Sequence, residues 1–283
     1  MAFLNNKIRR AQAIAIGLAL LLVGSLYALP KVLVNDKHEA PTEATAAANH
    51  LEEEEATDVH NRPLPVQTTA RIEEWQRAYN QSGGDKRKKR IFADSLASAY
   101  RRTGRPDSAA AWYERIAEAD PTVATWLLTG DAYYEAFGFA ANVEKMGQLG
   151  NKSRQYYEKV LLAQPDNLDV KSKLAMTYVG GPDPMRPVLT LREVLAKNPN
   201  HEGAQFNLGL LSMQSGQYDK AIGRFETLLK ANPKNTAAML YLGISYAETK
   251  NTAIARKWLL AAKTADPDPA LQATATEYLN RLK

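Results

Sequence analysis

The sequence predicts an all-α fold: about five stacked helical hairpins with capping helices, preceded by one transmembrane helix. Three observations predict it. Pro165, Pro199, Pro233 and Pro267 fall 34 residues apart. The same spacing separates Leu174, Leu208 and Leu242, then Ala175, Gly209 and Gly243, then Tyr178, Ser212 and Tyr246. Finally, Ala11–Pro30 is an unbroken run without a charged residue. A period near 34 that holds two apolar helical patterns marks stacked hairpins, because one hairpin cannot cover both of its apolar faces.

The chain has 283 residues, 45% hydrophobic and 24% charged, with a net charge of +5 and no cysteine. That is an ordinary composition for a folded protein. The absence of cysteine excludes disulfides, thiol catalysis, thiolate metal sites, lipoprotein-type acylation and C-x-x-C-H haem attachment.

Residues 1–10 form a basic tip with Lys7, Arg9 and Arg10, and residues 11–34 are expected to be a membrane anchor. Twenty uncharged residues in a helix reach about 30 Å, the thickness of the hydrocarbon layer. The competing expectation is a cleaved signal peptide with its cut after Ala28. Leu26 then stands where a small residue is required, which favours the anchor. Lys31 and Lys37 follow the span and are diluted by Asp36 and Glu39. The basic excess on the tip places the tip inside and the bulk outside the cytoplasm. In a bacterium that means the inner membrane with a periplasmic C-terminal domain.

Residues 35–63 are acid-rich, lack apolar periodicity and are expected to be a flexible linker spanning about 30 Å. Its His38, His50 and His60 match no compact metal-ligand spacing.

The repeats occupy 64–283. The expected units are about 90–122, 123–167, 168–201, 202–235 and 236–269, with a C-terminal capping helix over 269–283. "QTTARIEEWQRAYNQSGG" aligns Ile72, Trp75 and Tyr79 on one helical face that covers the first unit. Pro121 and Pro165 are 44 residues apart, so unit 123–167 carries an insertion, with both helices lengthened and a protruding tip. Pro187 stands where unit 202–235 has Ala221, so the second helix of unit 168–201 is expected to start late, near Asp183-Pro184. Gly209 and Gly243 are read as close crossings within a hairpin, with Ala221 and Ala255 opposite.

Asn207-Leu208-Gly209, Gly216, Tyr218, Ala221, Phe225, Leu228 and Pro233 resemble the tetratricopeptide repeat family. Leu242-Gly243, Tyr246, Ala255, Ala262 and Pro267 repeat the match, as do Leu96, Ala97, Tyr100, Gly104, Ala109, Tyr113 and Pro121. The resemblance implies a right-handed superhelical array whose concave face, lined by first helices, holds a protein or peptide. The residues in that register are Met176, Phe206, Asn207, Leu210, Met213, Leu240, Tyr241 and Ile244, with Ser172 beside them. It also implies a non-catalytic scaffold without a cofactor. Two further readings stay open: a permanent structural subunit of an envelope complex, and a chaperone-like assembly factor for secretion or cytochrome c maturation.

No phosphate loop, metal-ligand spacing or nucleophile-base set is legible. His201 reads as a solvated turn residue. The run Asp85–Arg90 has no interleaved aromatic platform, so it reads as a solvated helix start, not a nucleic-acid site. Phe137 and Phe139 on the lengthened hairpin are a second candidate contact.

Overall fold

The computed structural model describes residues 63–282. The tip at 1–10, the anchor at 11–34 and all but the last residue of the linker 35–63 lie outside the described residues. Twelve helices and no strand occur among the described residues, and none of these helices is long and apolar enough to cross a membrane. The chain divides into two compact units that part after Pro165.

In the first unit, α1 (Val66–Gln81) packs on the hairpin α2 (Lys86–Arg102) and α3 (Pro106–Ala119). Tyr79 of α1 meets Trp112 edge-on at 5.2 Å, and Ile72 is buried, so α1 covers the first hairpin as its apolar face predicts. Asp85 caps α2, accepting from the Lys88 N–H at 3.0 Å. Pro106 opens α3 at a position where its missing N–H costs nothing.

The next hairpin, α4 (Val123–Gly138) and α5 (Val143–Ala163), has helices of 16 and 21 residues. The insertion is thus absorbed as helix, with only Phe139–Asn142 left as the turn. At its base Gly130 faces Tyr157, and an added Cβ would lie 2.7 Å from the ring.

The second unit holds α6 (Leu168–Met176) with α7 (Arg186–Lys197), α8 (Glu202–Gln214) with α9 (Tyr218–Ala231), and α10 (Thr236–Glu248) with α11 (Thr252–Ala265). The final helix α12 (Pro269–Arg281) packs on α11. Three first helices start on equally spaced caps. Asn167, His201 and Asn235 each accept from the N–H three residues on, at 3.1, 3.1 and 2.9 Å. This satisfies donors that a helix start leaves free.

His201 is therefore not solvated, which corrects the sequence expectation. It is buried, its Nδ1 accepts from Ala204 N–H, and its Nε2 lies 3.1 Å from Asp169 Oδ1. Nδ1 is used as an acceptor, so the neutral ring carries its proton on Nε2 and donates it to Asp169. That hydrogen bond holds the Asp169 carboxyl below its usual range, against the opposing effect of burial.

The hairpin crossings are where the smallest residues stand. A Cβ on Gly209 would lie 2.6 Å from the Phe225 ring, and one on Gly243 would lie 2.8 Å from Leu259. Ala221 and Ala255 are fully buried on the second helices. Gly104, Gly216 and Lys250 occupy one turn position, with φ of 72°, 71° and 62°. The residue after each closes the same turn: Arg105 N–H donates to Tyr100 at 2.9 Å, Gln217 N–H to Ser212 at 2.8 Å and Asn251 N–H to Tyr246 at 2.9 Å. These are left-handed C-terminal caps, which glycine enters without steric cost.

The hairpin α6–α7 departs from this pattern. α6 has nine residues where α8 has 13, and α7 starts at Arg186, close to the expected late start. The sequence "VGGPDP", Val179–Pro184, explains the missing turn, because Gly and Pro both disfavour helix. Pro187 is buried in the first turn of α7, where it interrupts no helical hydrogen bond.

Two substitutions to alanine should have opposite signs. Gly209→Ala should lower stability by about 1–3 kcal/mol through overpacking against Phe225, despite alanine's better helix propensity. A Cβ on Gly223, mid-helix in α9, meets nothing within 4 Å, so Gly223→Ala should raise stability by up to about 1 kcal/mol. Denaturation midpoints that move the same way would contradict this packing. Lys250→Gly should gain roughly 0.5–1 kcal/mol by relieving its left-handed backbone, and a loss in the same measurement would contradict it.

Candidate functional site

The strip expected along the first helices of the second unit is buried. Phe206, Leu210 and Met213 on α8 are 7%, 8% and 9% exposed, and Leu240, Tyr241 and Ile244 on α10 are 0%, 1% and 2% exposed. Met176, at the end of α6, is 3% exposed. These residues are packed within the unit, not open to solvent.

Aromatic packing accounts for much of the burial. Phe206 meets Phe225 and Tyr241 edge-on at 5.8 and 5.6 Å, and Phe225 and Tyr241 stack at 6.0 Å. The same core cluster takes in Leu271, Ala275 and Tyr278 of α12. The Tyr241 hydroxyl is buried with no hydrogen-bond partner among the described residues, and burial pushes its pKa up. Asn207 is half-buried and donates to Ser172 Oγ at 3.3 Å, so it ties α8 to α6.

The basic start of α2 is mostly exposed, as expected. Lys86 lies 3.8 Å from Asp120, and Lys89 stands over the Tyr79 ring at 5.7 Å. On the long hairpin, Phe137 is buried against Tyr134 and over Gly150, while Phe139 is 44% exposed. Phe137 thus packs the hairpin, and Phe139 alone of the two is available for contact.

One polar cluster binds α3, α4 and α5 together. Glu114 accepts from Tyr133 at 2.7 Å, from Lys152 at 2.7 Å and from Tyr156 at 3.2 Å. Burial alone would raise the Glu114 pKa, but the Lys152 ammonium and the two hydroxyls outweigh it and hold the carboxyl below its usual value. Burial and the facing carboxylate push both tyrosines up. A carboxylate held anionic among three donors is a tie between helices, since a general base would need a pKa near the working pH.

A feature not anticipated from the sequence is a cavity of about 780 Å³ within the second unit, bounded by α7, α8, α9 and the turn before α7. It sits where α6 ends early. Two signals in the sequence pointed to it: Pro187 in place of the usual alanine, and Gly223, a mid-helix glycine at no crossing position.

A tetratricopeptide repeat model matches residues 95–124 and 206–269, about a third of the chain. No curated protein matches the chain. Among solved structures, TTC0263, a thermophilic TPR protein in Thermus thermophilus, is similar at TM-score 0.51 and 19% identity, over 66% of this chain and 97% of that one. The human IFIT1 dimer with m7Gppp-AAAA is similar at TM-score 0.52 and 18% identity, over 68% of this chain and 45% of that one. YrrB, described as a TPR protein with an unusual peptide-binding site, aligns at TM-score 0.38 and 24% identity, over 73% of this chain and 99% of that one. At these identities the likeness concerns the fold alone. Proteins built from this repeat typically mediate protein–protein interaction and are generally non-catalytic. The matched repeats and the helical-hairpin fold together support tetratricopeptide repeats as the building unit of this chain.

Proposed function

We propose that the chain is a membrane-tethered, non-catalytic scaffold that holds a protein partner at the outer face of the inner membrane. The observation that carries the reading is the pair of glycine-tight hairpins at Gly209 and Gly243 in the matched repeats, a rigid helical surface of the kind that typically mediates protein–protein interaction. The tether rests on Ala11–Pro30, which is long enough and apolar enough to span a bilayer. A periplasmic C-terminal domain rests on the basic residues Lys7, Arg9 and Arg10 ahead of that run.

The burial of the first-helix strip favours a defined partner over transient apolar clients. An unfolded client needs open apolar surface, and Phe206, Leu210, Met213, Leu240, Tyr241 and Ile244 do not offer it. A permanent subunit of an envelope complex fits that observation better than a chaperone for secretion or cytochrome c maturation.

Crosslinking of the full chain in intact cells should trap one or a few stoichiometric neighbours. A broad smear of unrelated proteins would favour the chaperone reading, and no neighbour at all would end the scaffold reading. Protease added to spheroplasts should digest the repeats, whereas digestion only after lysis of the inner membrane would reverse the orientation.

A further inference from the structure

The cavity of the second unit has walls of two kinds. Val188 of α7 and Leu211 of α8 are apolar, and Met185, in the turn before α7, is half exposed beside them. The other wall is cationic. Arg192 of α7 and Lys220 and Arg224 of α9 line it, and no lining residue is acidic.

Both arginines line the same cavity. Burial first, and the Arg192 charge second, lower the Arg224 pKa. What Arg224 and Lys220 do bond is neutral: Arg224 Nη1 donates to Gln205 Oε1 at 3.2 Å and Lys220 Nζ to Gln217 Oε1. Nearby acids on these helices are engaged or turned to solvent. Glu193 pairs with Lys171 at 2.7 Å, Glu226 accepts from Tyr246 at 2.7 Å, and Asp219 is exposed. Arg224 is half-buried while Arg192 and Lys220 are exposed at the rim, so solvent screens part of their repulsion and an anion between them would relieve the rest.

Gly223 is an independent sign. Glycine in mid-helix is unfavourable, and at Gly209 and Gly243 a close crossing explains it. At Gly223 an added Cβ would meet open space, so packing within the chain does not require glycine there. Its bare backbone lines the cavity beside Arg224. A missing side chain at that point lets another main chain approach α9 closely.

We propose that this cleft binds an extended segment of the partner protein in which an Asp or Glu adjoins an apolar residue. The carboxylate sits between Arg192 and Arg224, whose planar donor forks suit it. The apolar side chain rests on Val188 and Leu211, and the segment's main chain passes over Gly223. The cleft exists because α6 is a turn short and α7 starts late, so it belongs to this unit and not to the repeat in general. The inference rests on the scaffold reading and names its contact.

The test uses the full chain in detergent and fluorescence anisotropy. The probes are labelled nine-residue peptides that place Asp or Glu beside Leu or Phe, each with an Asn or Gln twin. A subset of the acidic peptides should bind, with twins at least tenfold weaker and affinity falling as salt rises. Gly223→Glu and Arg224→Gln should each weaken binding at least tenfold, and Gly223→Ala, which adds only a Cβ where the segment's main chain passes, should weaken it less than Gly223→Glu does. Helical circular dichroism identifies any variant that fails to fold, and Arg224→Gln, remote from the crossings, serves if Gly223→Glu does.

Equal binding of the neutral twins, or indifference to both variants, would overturn the proposal. So would saturable binding only to inorganic phosphate or to anionic phospholipid vesicles. If no acidic peptide binds and the partner crosslinked in cells survives Gly223→Glu, the cleft is wrong and the scaffold stands. Loss of that crosslink in folded Gly223→Glu and Arg224→Gln supports both.

Discussion

Two helices can cross closely only where one of them lacks a side chain, and the rest of this fold follows from where those gaps are placed. Gly209 admits the Phe225 ring and Gly243 admits Leu259, each nearer than any Cβ would allow. The hairpin that results presents its remaining large residues to its neighbours. Within the second unit Phe206, Phe225 and Tyr241 then meet as one aromatic group across α8, α9 and α10. Stability is thus shared among hairpins, as expected of a repeat whose units cannot bury their own faces.

The departures from the repeat carry the functional argument. In hairpin α4–α5 the insertion lengthens both helices, and the additional surface is tied down by Glu114 and its three donors. In hairpin α6–α7 a Gly- and Pro-containing segment removes a turn and leaves space between α7 and α9. Cations line that space, and none of its lining residues is acidic. The regular first-helix face, where a ligand was expected, is instead closed by packing.

Much of the fold was legible because periodicity reports backbone geometry directly. Equal spacing of Pro199, Pro233 and Pro267 marked the helix ends, and the positions of Gly209 and Gly243 marked the crossings. The late start of α7 followed from Pro187. The site was much less legible. Whether Leu210 or Ile244 faces solvent depends on what packs over it, and a repeat register carries no such information. His201 misled for a similar reason: a turn histidine looks solvated until its equivalence with Asn167 and Asn235 shows it to be a cap. The cleft needed the spacing between the neighbouring helices α7, α8 and α9, which a repeat register does not give, although Gly223 stood in the sequence as a glycine without a crossing.

The most direct test of the central claim is a double-mutant cycle between Gly209→Ala and Phe225→Leu, read by chemical denaturation. If a Cβ at Gly209 harms the fold by striking the Phe225 ring, a smaller partner should relieve it. The account predicts that the double variant is more stable than the sum of the single losses by about 1 kcal/mol, within the range seen for residues in contact. Strict additivity would contradict it, because the crossing would then not depend on the fit between those two residues.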